Sequence, residues 1–315
     1  MGAVVHRLAP RTPGFERGVY ACRAVALSLV VAAYAGEQRI DAWLADFWSW
    51  VRETSLMKWD TFEPFLVIAS FTVFLVAWSA VDLGGFGSRF HARTARYRLQ
   101  PSGAEGKTHE EHSRQIWKPE GHGLRELSLY LVPLLVFDSL YPRRVLPVES
   151  PTARLLAGEV FASLALYDAL FAASHRLMHA VPWLFRNVHA KHHLHSNVRA
   201  REIFRLSPAE EVVDVSCSVV AVNLTRAHPL CRAAYNVLIV YLLCEIHSGY
   251  DAPWSLANVV PCGVMMGSRE HVEHHATGRG AYAKFFSPLE PDRWRSALNV
   301  INNSWQKKKP PPKIP

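Results

Sequence analysis

Apolar residues recur along the chain in long runs separated by polar stretches, a pattern of helices facing a core or lipid rather than of alternating strands. The clearest run is Phe62 to Val81, with Phe65-Leu-Val-Ile-Ala and Phe74-Leu-Val-Ala-Trp inside it. A shorter run, Ala24 to Ala35, follows Arg7, Arg11, Arg17 and Arg23, which are set against one acid, Glu16. It reads as a signal anchor or as part of an Arg-rich transit peptide. Residues from Val19 would have to extend it to the roughly 20 that a span requires. Leu127 to Leu140 and Leu155 to Ala173 predict a helical hairpin, with Pro142 and Pro147 at its turn. Val212 to Leu224 and Ala233 to Ile246, split by His228-Pro229, predict a second. That pair is short and carries Asp214 and Asn223, so it is expected to enter a bilayer only in part. Trp43, Trp48, Trp50 and Trp59 cluster after the first run. They suit an aromatic belt at a membrane surface, or else an amphipathic helix in water.

The polar stretches set an orientation. Residues 84–125 are rich in Arg89, Arg93, Arg96, Arg98, Lys107, Arg114, Lys118 and Arg125, which predicts a cytoplasmic loop. His109, His112 and His122 are scattered through it and read as solvated. If that loop is cytoplasmic, each hairpin returns the chain to the same side. The expected domains are 1–125 (anchor spans and basic loop), 126–296 (catalytic core) and 297–315, a basic disordered tail with Lys307-Lys308-Lys309.

Composition adds two points. Half of the 315 residues are apolar, and the formal charge is +8 with a pI near 9.4. A basic balance beside apolar spans favours lipid headgroups over nucleic acid as the anionic partner. The five cysteines, Cys22, Cys217, Cys231, Cys244 and Cys262, form no C-x-x-C pair and read as reduced.

Histidine changes the picture more. There are 16, and eight stand in three clusters just past apolar runs. The first is His175-Arg-Leu-Met-His179, the second His189-Ala-Lys-His192-His193, the third His271-Val-Glu-His274-His275. Positions i, i+3 and i+4 share one helix face, so each triplet is expected to aim its three rings at one place. Eight imidazoles exceed what one tetrahedral or octahedral ion uses, which implies two ions. The H-E-x-x-H motif of zinc proteases is missing, as is the Glu-x-x-His pattern of soluble di-iron bundles. A nitrogen-rich two-metal site beside a membrane points to iron and O2 chemistry on a lipid. The expected fold is therefore all-α: a polytopic integral-membrane helical bundle with a cytoplasmic, histidine-rich di-metal cap.

The order H-x-x-x-H, H-x-x-H-H, H-x-x-H-H resembles the signature of the fatty acid hydroxylase/sterol desaturase superfamily, over about residues 126–290. Glu245-Ile-His247-Ser-Gly-Tyr-Asp251-Ala-Pro-Trp254 looks like the H-S-G-Y-[DN]-x-P segment of sterol C4-methyl oxidases and cholesterol 25-hydroxylases. The family uses that histidine as a further ligand, so the resemblance adds His247. Gly267-Ser-Arg-x-His271 also resembles the approach to the last box in C4-methyl oxidases. The resemblance implies two irons, O2 as co-substrate, and electrons from cytochrome b5 and an NAD(P)H-dependent reductase. It also implies residence in the endoplasmic reticulum. The reaction implied is hydroxylation of an unactivated C–H bond of a sterol, by a C4-methyl oxidase or a side-chain hydroxylase. Fatty-acyl or sphingolipid hydroxylation or desaturation is the enzyme alternative. A polytopic metal-binding or transport protein is the non-enzyme one.

The chain departs from the family at three places. Ser207-Pro208 stands for a His-Pro pair, Val272 for the Asp of the last box, and Phe285-Phe286-Ser-Pro for the closing F-G-T. The missing Asp could orient a ligand imidazole, and Glu273 or Asp251 is its expected substitute. His195 lies outside the family pattern and reads as an outlying or surface residue, while His228 at a hairpin turn reads as structural. Lys191, Arg199, Arg201 and Arg205 are expected to meet headgroups, with docking of an acidic electron donor as the second reading.

Overall fold

The computed structural model describes residues 8–100, 128, 131–132, 134–136, 139–140, 146–194 and 198–290. His109, His112, His122, His195, Pro142 and the lysine tail lie outside them. Eight helices carry the architecture: α1 (Phe15–Ala35), α2 (Glu37–Val51), α3 (Phe62–Leu83), α4 (Ser88–Ala95), α5 (Ala153–Ala180), α6 (Pro208–Leu224), α7 (Pro229–Ile246) and α8 (Ser268–Thr277). The described residues between 128 and 140 are helical too. No strand occurs among the described residues, so the all-α expectation holds.

Four helices, α1, α3, α5 and α7, are long and apolar enough to cross a membrane. The chain is a membrane helical bundle. The first apolar run grows into a span because the helix starts nine residues earlier than the run itself, at Phe15. Its 21 residues rise about 31 Å, against a hydrocarbon core of about 30 Å. Only Phe15 and Val19 are buried in it, so nearly the whole of α1 faces outward. The tryptophan cluster divides. Trp43, Trp50 and Trp59 are exposed, but Trp48 is fully buried. Its Nε1–H donates to the Pro147 carbonyl at 3.0 Å, and its ring meets His228 edge-on at 4.6 Å.

Helices α5, α6 and α7 each start on a side-chain cap that the sequence encodes. Thr152 accepts from Leu155 N–H at α5, Ser207 from Glu210 N–H at α6, and His228 from Leu230 N–H at α7. Proline follows the cap in α6 and α7, where its missing N–H has no partner to lose. The structural reading of His228 is thereby given a mechanism. Helix α7 is the centre of the bundle and packs on α3 and α5, while α6 packs on α5. Phe71, Leu164, Tyr167, Phe171, Tyr235, Ile239 and Phe285 form their shared core. Arg232 donates through two nitrogens to Glu63 at 2.8 Å each, tying the first turn of α7 to that of α3.

The expected basic loop does not begin as a loop. Residues 88–95 form α4, and the chain after it is stitched to the H-S-G-Y segment. Leu99 N–H donates to Gly249 O at 2.9 Å, and Asp251 N–H to Tyr97 O at 2.8 Å. Gly249 has φ +77, and a Cβ there would meet Val198 O at 2.6 Å, so no other residue fits. Arg98, read as part of a positive surface, ion-pairs inward with Asp82 at 3.1 Å.

Candidate metal centre

Helix α5 is 28 residues long and runs past its apolar part, which places His175 and His179 on its last turns. His247 caps the C-terminal end of α7, and α8 presents His271, His274 and His275. The second cluster is not α-helical. His189 ends a π turn, Phe185–His189, and His192 opens a 3-10 turn, His192–Leu194. All nine predicted histidines meet at one end of the bundle.

They meet as two groups, not three. His175, His179, His189, His193 and His274 form one, and His192, His247, His271 and His275 the other. Within each, the ligand atoms lie within 4.8 Å of one another. The expectation that each triplet aims at one place is corrected. Residues i and i+4 stay together, and the middle histidine crosses over. His192 leaves its triplet for the group of His271 and His275, while His274 joins His189 and His193.

The outward nitrogens are held by fixed acceptors. His175 Nδ1 donates to Tyr282 O at 2.8 Å, His274 Nδ1 to Gly280 O at 2.6 Å and His247 Nδ1 to Leu243 O at 2.8 Å. His189 Nδ1 donates to Glu210 Oε1 at 2.7 Å, with both side chains buried. A neutral imidazole has one N–H, so these rings turn bare Nε2 lone pairs inward. His175 Nε2 and His189 Nε2 are 2.9 Å apart, and both are of this kind. His193 Nε2 is also 2.9 Å from His189 Nε2, and His271 Nε2 is 2.9 Å from His247 Nε2. His179 Nε2 and His274 Nε2 are buried without a hydrogen-bond partner. Facing lone pairs repel unless a cation lies between them. Protonation does not supply it readily: burial lowers His189, His193 and His247 to about 4, and His192, His271, His274 and His275 fall well below their ordinary value, from burial and then from one another. Neutral, preoriented imidazoles are what a divalent transition metal takes. The donor set fits two such ions.

Glu210 was not foreseen. The signal was Ser207-Pro-Ala-Glu210, a capping pattern whose acid sits at the third helical position. Here the Ser caps, and the Glu turns to His189 instead. The expected substitutes do not play this part. Glu273 is exposed, and Asp251 pairs with Arg11 at 3.0 Å and Arg269 at 2.7 Å. Val272 is fully buried against Leu99 and Val198, so the position of the missing acid is apolar here.

The segment that replaces F-G-T is anchored on α5. Asp168 accepts from the backbone N–H of Lys284 at 2.6 Å, of Phe285 at 3.1 Å and of Phe286 at 2.7 Å. This fixes the strip whose Gly280 and Tyr282 carbonyls hold His274 and His175. Lys284 Nζ reaches Tyr167 OH and Asp214, both at 2.8 Å, and lies 3.7 Å over Phe171, which packs on His175. Asp214, read as a hint of partial bilayer entry, is thus a half-buried charge paired with Lys284.

Of the basic quartet only Arg199 is buried, Arg201 and Arg205 being half-buried and Lys191 exposed. Arg199 is 3% exposed and pairs with Asp82 at 2.9 Å, which rules it out as a headgroup contact. Arg201 and Arg205 both pair with Glu202, and Lys191 donates to the Leu206 carbonyl at 2.8 Å.

Comparison with known proteins agrees with this geometry. A family model described as fatty acid hydroxylase matches residues 160–294, which hold all nine histidines. Cholesterol 25-hydroxylase of Mus musculus is 30% identical over 249 residues, 78% of this chain and 82% of its own. The Homo sapiens protein of the same name is 28% identical over 78% of this chain and 90% of its own. Methylsterol monooxygenase 2-2 of Arabidopsis thaliana is 29% identical over 51% of this chain and 59% of its own. No solved structure matches the chain. Together with the two histidine groups at the end of a membrane bundle, these likenesses show that the chain is an oxidoreductase of the fatty acid hydroxylase/sterol desaturase superfamily.

Proposed function

We propose that the chain is a membrane-bound di-iron monooxygenase that hydroxylates an unactivated C–H bond of a sterol. The observation that carries this reading is the pair of inward-facing lone-pair groups, five nitrogens in one and four in the other. His175, His179, His189, His193 and His274 would hold one iron, and His192, His247, His271 and His275 the second. When bound, the iron pair supplies O2 activation and the oxidising power that removes hydrogen from carbon.

The chain's own residues do the rest. Glu210 and the carbonyls of Leu243, Gly280 and Tyr282 hold the rings in register. Burial of His175, His189, His247, His271 and His274 keeps bulk water off the centre. The names of the relatives, cholesterol 25-hydroxylase and methylsterol monooxygenase, favour a sterol over a fatty-acyl substrate and oxidation over metal transport. Electrons would come from an external cytochrome b5-type donor and its reductase. The centre would face the cytoplasm from the endoplasmic reticulum, following the positive-inside argument for residues 84–125.

The test is sterol profiling after expression in a sterol-auxotrophic host, with iron measured on the purified protein. Hydroxysterols or lost 4-methylsterols should appear with the native chain and vanish with His192→Ala. An unchanged sterol profile, or full iron and normal activity in His192→Ala, would sink the reading.

A further inference from the structure

A second cavity lies away from the histidines. It holds about 230 Å3 between α3, α4, α7 and the loop 250–254. Trp78, Phe86, Phe90, Tyr241, Tyr250 and Trp254 give it a wall of rings. No charged side chain lines it among the described residues. Three of its four side-chain hydroxyls are committed to protein groups. Thr94 Oγ1 donates to Phe90 O at 3.1 Å, Tyr250 OH donates to Asp82 at 2.8 Å, and Tyr241 bonds to Glu245. The surface offered to a ligand is therefore chiefly hydrocarbon and ring face.

Two further facts connect it to lipid and to the centre. Its rim residues Phe86, Phe90 and Trp254 are 56%, 41% and 49% exposed, at the end of the candidate span α3. Its wall residue Tyr250 stands three positions after His247, in a segment pinned by Leu99 N–H to Gly249 O. A ligand seated here rests against the strip of chain that carries a histidine of the second group.

We propose that this cavity is the binding site for the ring system of a sterol entering from the bilayer. The inference rests on the oxygenase reading and deepens it by naming what the pocket accepts. A fatty acid or acyl thioester carries a carboxylate or phosphates, and no cation is among the described residues that line this wall. An acyl chain also loses many torsions on ordering, whereas a fused ring arrives already rigid. The volume is below the about 300–1,000 Å3 of whole-ligand pockets, so it takes the rings and leaves the rest of the molecule outside.

The experiment uses the purified full chain, iron-loaded, in lipid nanodiscs. It is labelled with a diazirine-bearing sterol or a diazirine-bearing fatty acid, and the labelled peptides are mapped by mass spectrometry. The sterol probe should label 86–94 and 250–254, and the acyl probe should not. Phe90→Trp and Ala77→Phe fill the cavity from two sides and should each cut labelling about tenfold, with iron content unchanged. Labelling elsewhere, equal labelling by the acyl probe, or filled variants that label normally would overturn the proposal. Labelling in the pocket without any hydroxysterol product would support this site while overturning the oxygenase reading. Hydroxysterol formed with an unaltered KM in both filled variants would do the reverse.

Discussion

Glu210 Oε1 accepts the Nδ1 proton of His189 at 2.7 Å, and neither side chain reaches solvent. The contact fixes which nitrogen of His189 turns inward and makes it a better donor to a cation. Glu210→Ala should therefore lower iron affinity about 10- to 100-fold, and Glu210→Gln should recover part of the loss. Equilibrium dialysis against a chelator, with iron counted per chain, checks this. Native affinity in Glu210→Ala would remove the carboxylate from the account of the centre.

Neighbouring histidines serve different groups, so single substitutions should be separable. His192→Ala and His193→Ala each strike one group, and each should hold no more than about one iron per chain. The double variant should hold almost none. Elemental analysis of the three proteins decides it. Two irons in either single variant would refute the five-and-four grouping.

Asp82 is a shared counter-ion. Arg98, Arg199 and the Tyr250 hydroxyl all converge on its Oδ1, at 3.1, 2.9 and 2.8 Å. Asp82→Asn leaves the buried Arg199 without a partner charge, which should destabilise the protein by about 3–5 kcal/mol. A thermal unfolding midpoint unchanged from the native protein would contradict this.

Asp251 sets an acid limit. Burial pushes its carboxyl up, but Asn258, Arg269 and Arg11 outweigh burial and hold it below the ordinary carboxylate value. A folded value below the unfolded one means the stabilisation is complete above about pH 4. It is lost as pH falls through the lower folded value. Asp251→Asn should be less stable than the native protein by about 2 kcal/mol at neutral pH, and the difference should close below about pH 4. Unfolding curves between pH 3 and pH 7 would show whether it does.

Val272→Asp restores the acid usual in the last box. Here it would place a carboxylate among Leu99 and Val198. The expected result is a loss of about 2–4 kcal/mol with no gain in iron affinity. A tighter, equally stable variant would show that the apolar contact is dispensable.

Much of this was legible in the chain. Long apolar runs predict the spans, because lipid leaves the backbone no partner but itself. The histidine boxes announce themselves by spacing, and His247 came through a family segment rather than through spacing. The crossing of His192 and His274 was not legible. His192 stands where the π turn at Phe185–His189 has given way to a 3-10 turn, which no residue in Phe185-Arg-Asn-Val-His189 announces, while His274 crosses within the regular helix α8, where positions i+3 and i+4 fall on opposite sides of position i. Glu210 was hidden because its sequence context fits a capping acid equally well. Arg98 and Arg199 were read as surface charge, since their partner Asp82 lies over 100 residues from Arg199. The inward turn of Trp48 likewise depends on Pro147 and His228, both distant in sequence.

The crossing of His192 and His274 also bears on how the centre would be filled. The second and third boxes each contribute to both groups, so seating a first ion already freezes rings that the second ion needs. Filling should then be steeper than for two independent sites, and removal of one ion should loosen the other. A population with one ion per chain would be scarce at every iron concentration. Like interlaced fingers, the segment 189–194 and α8 would let go together, so iron starvation would leave the chain either fully equipped or inert.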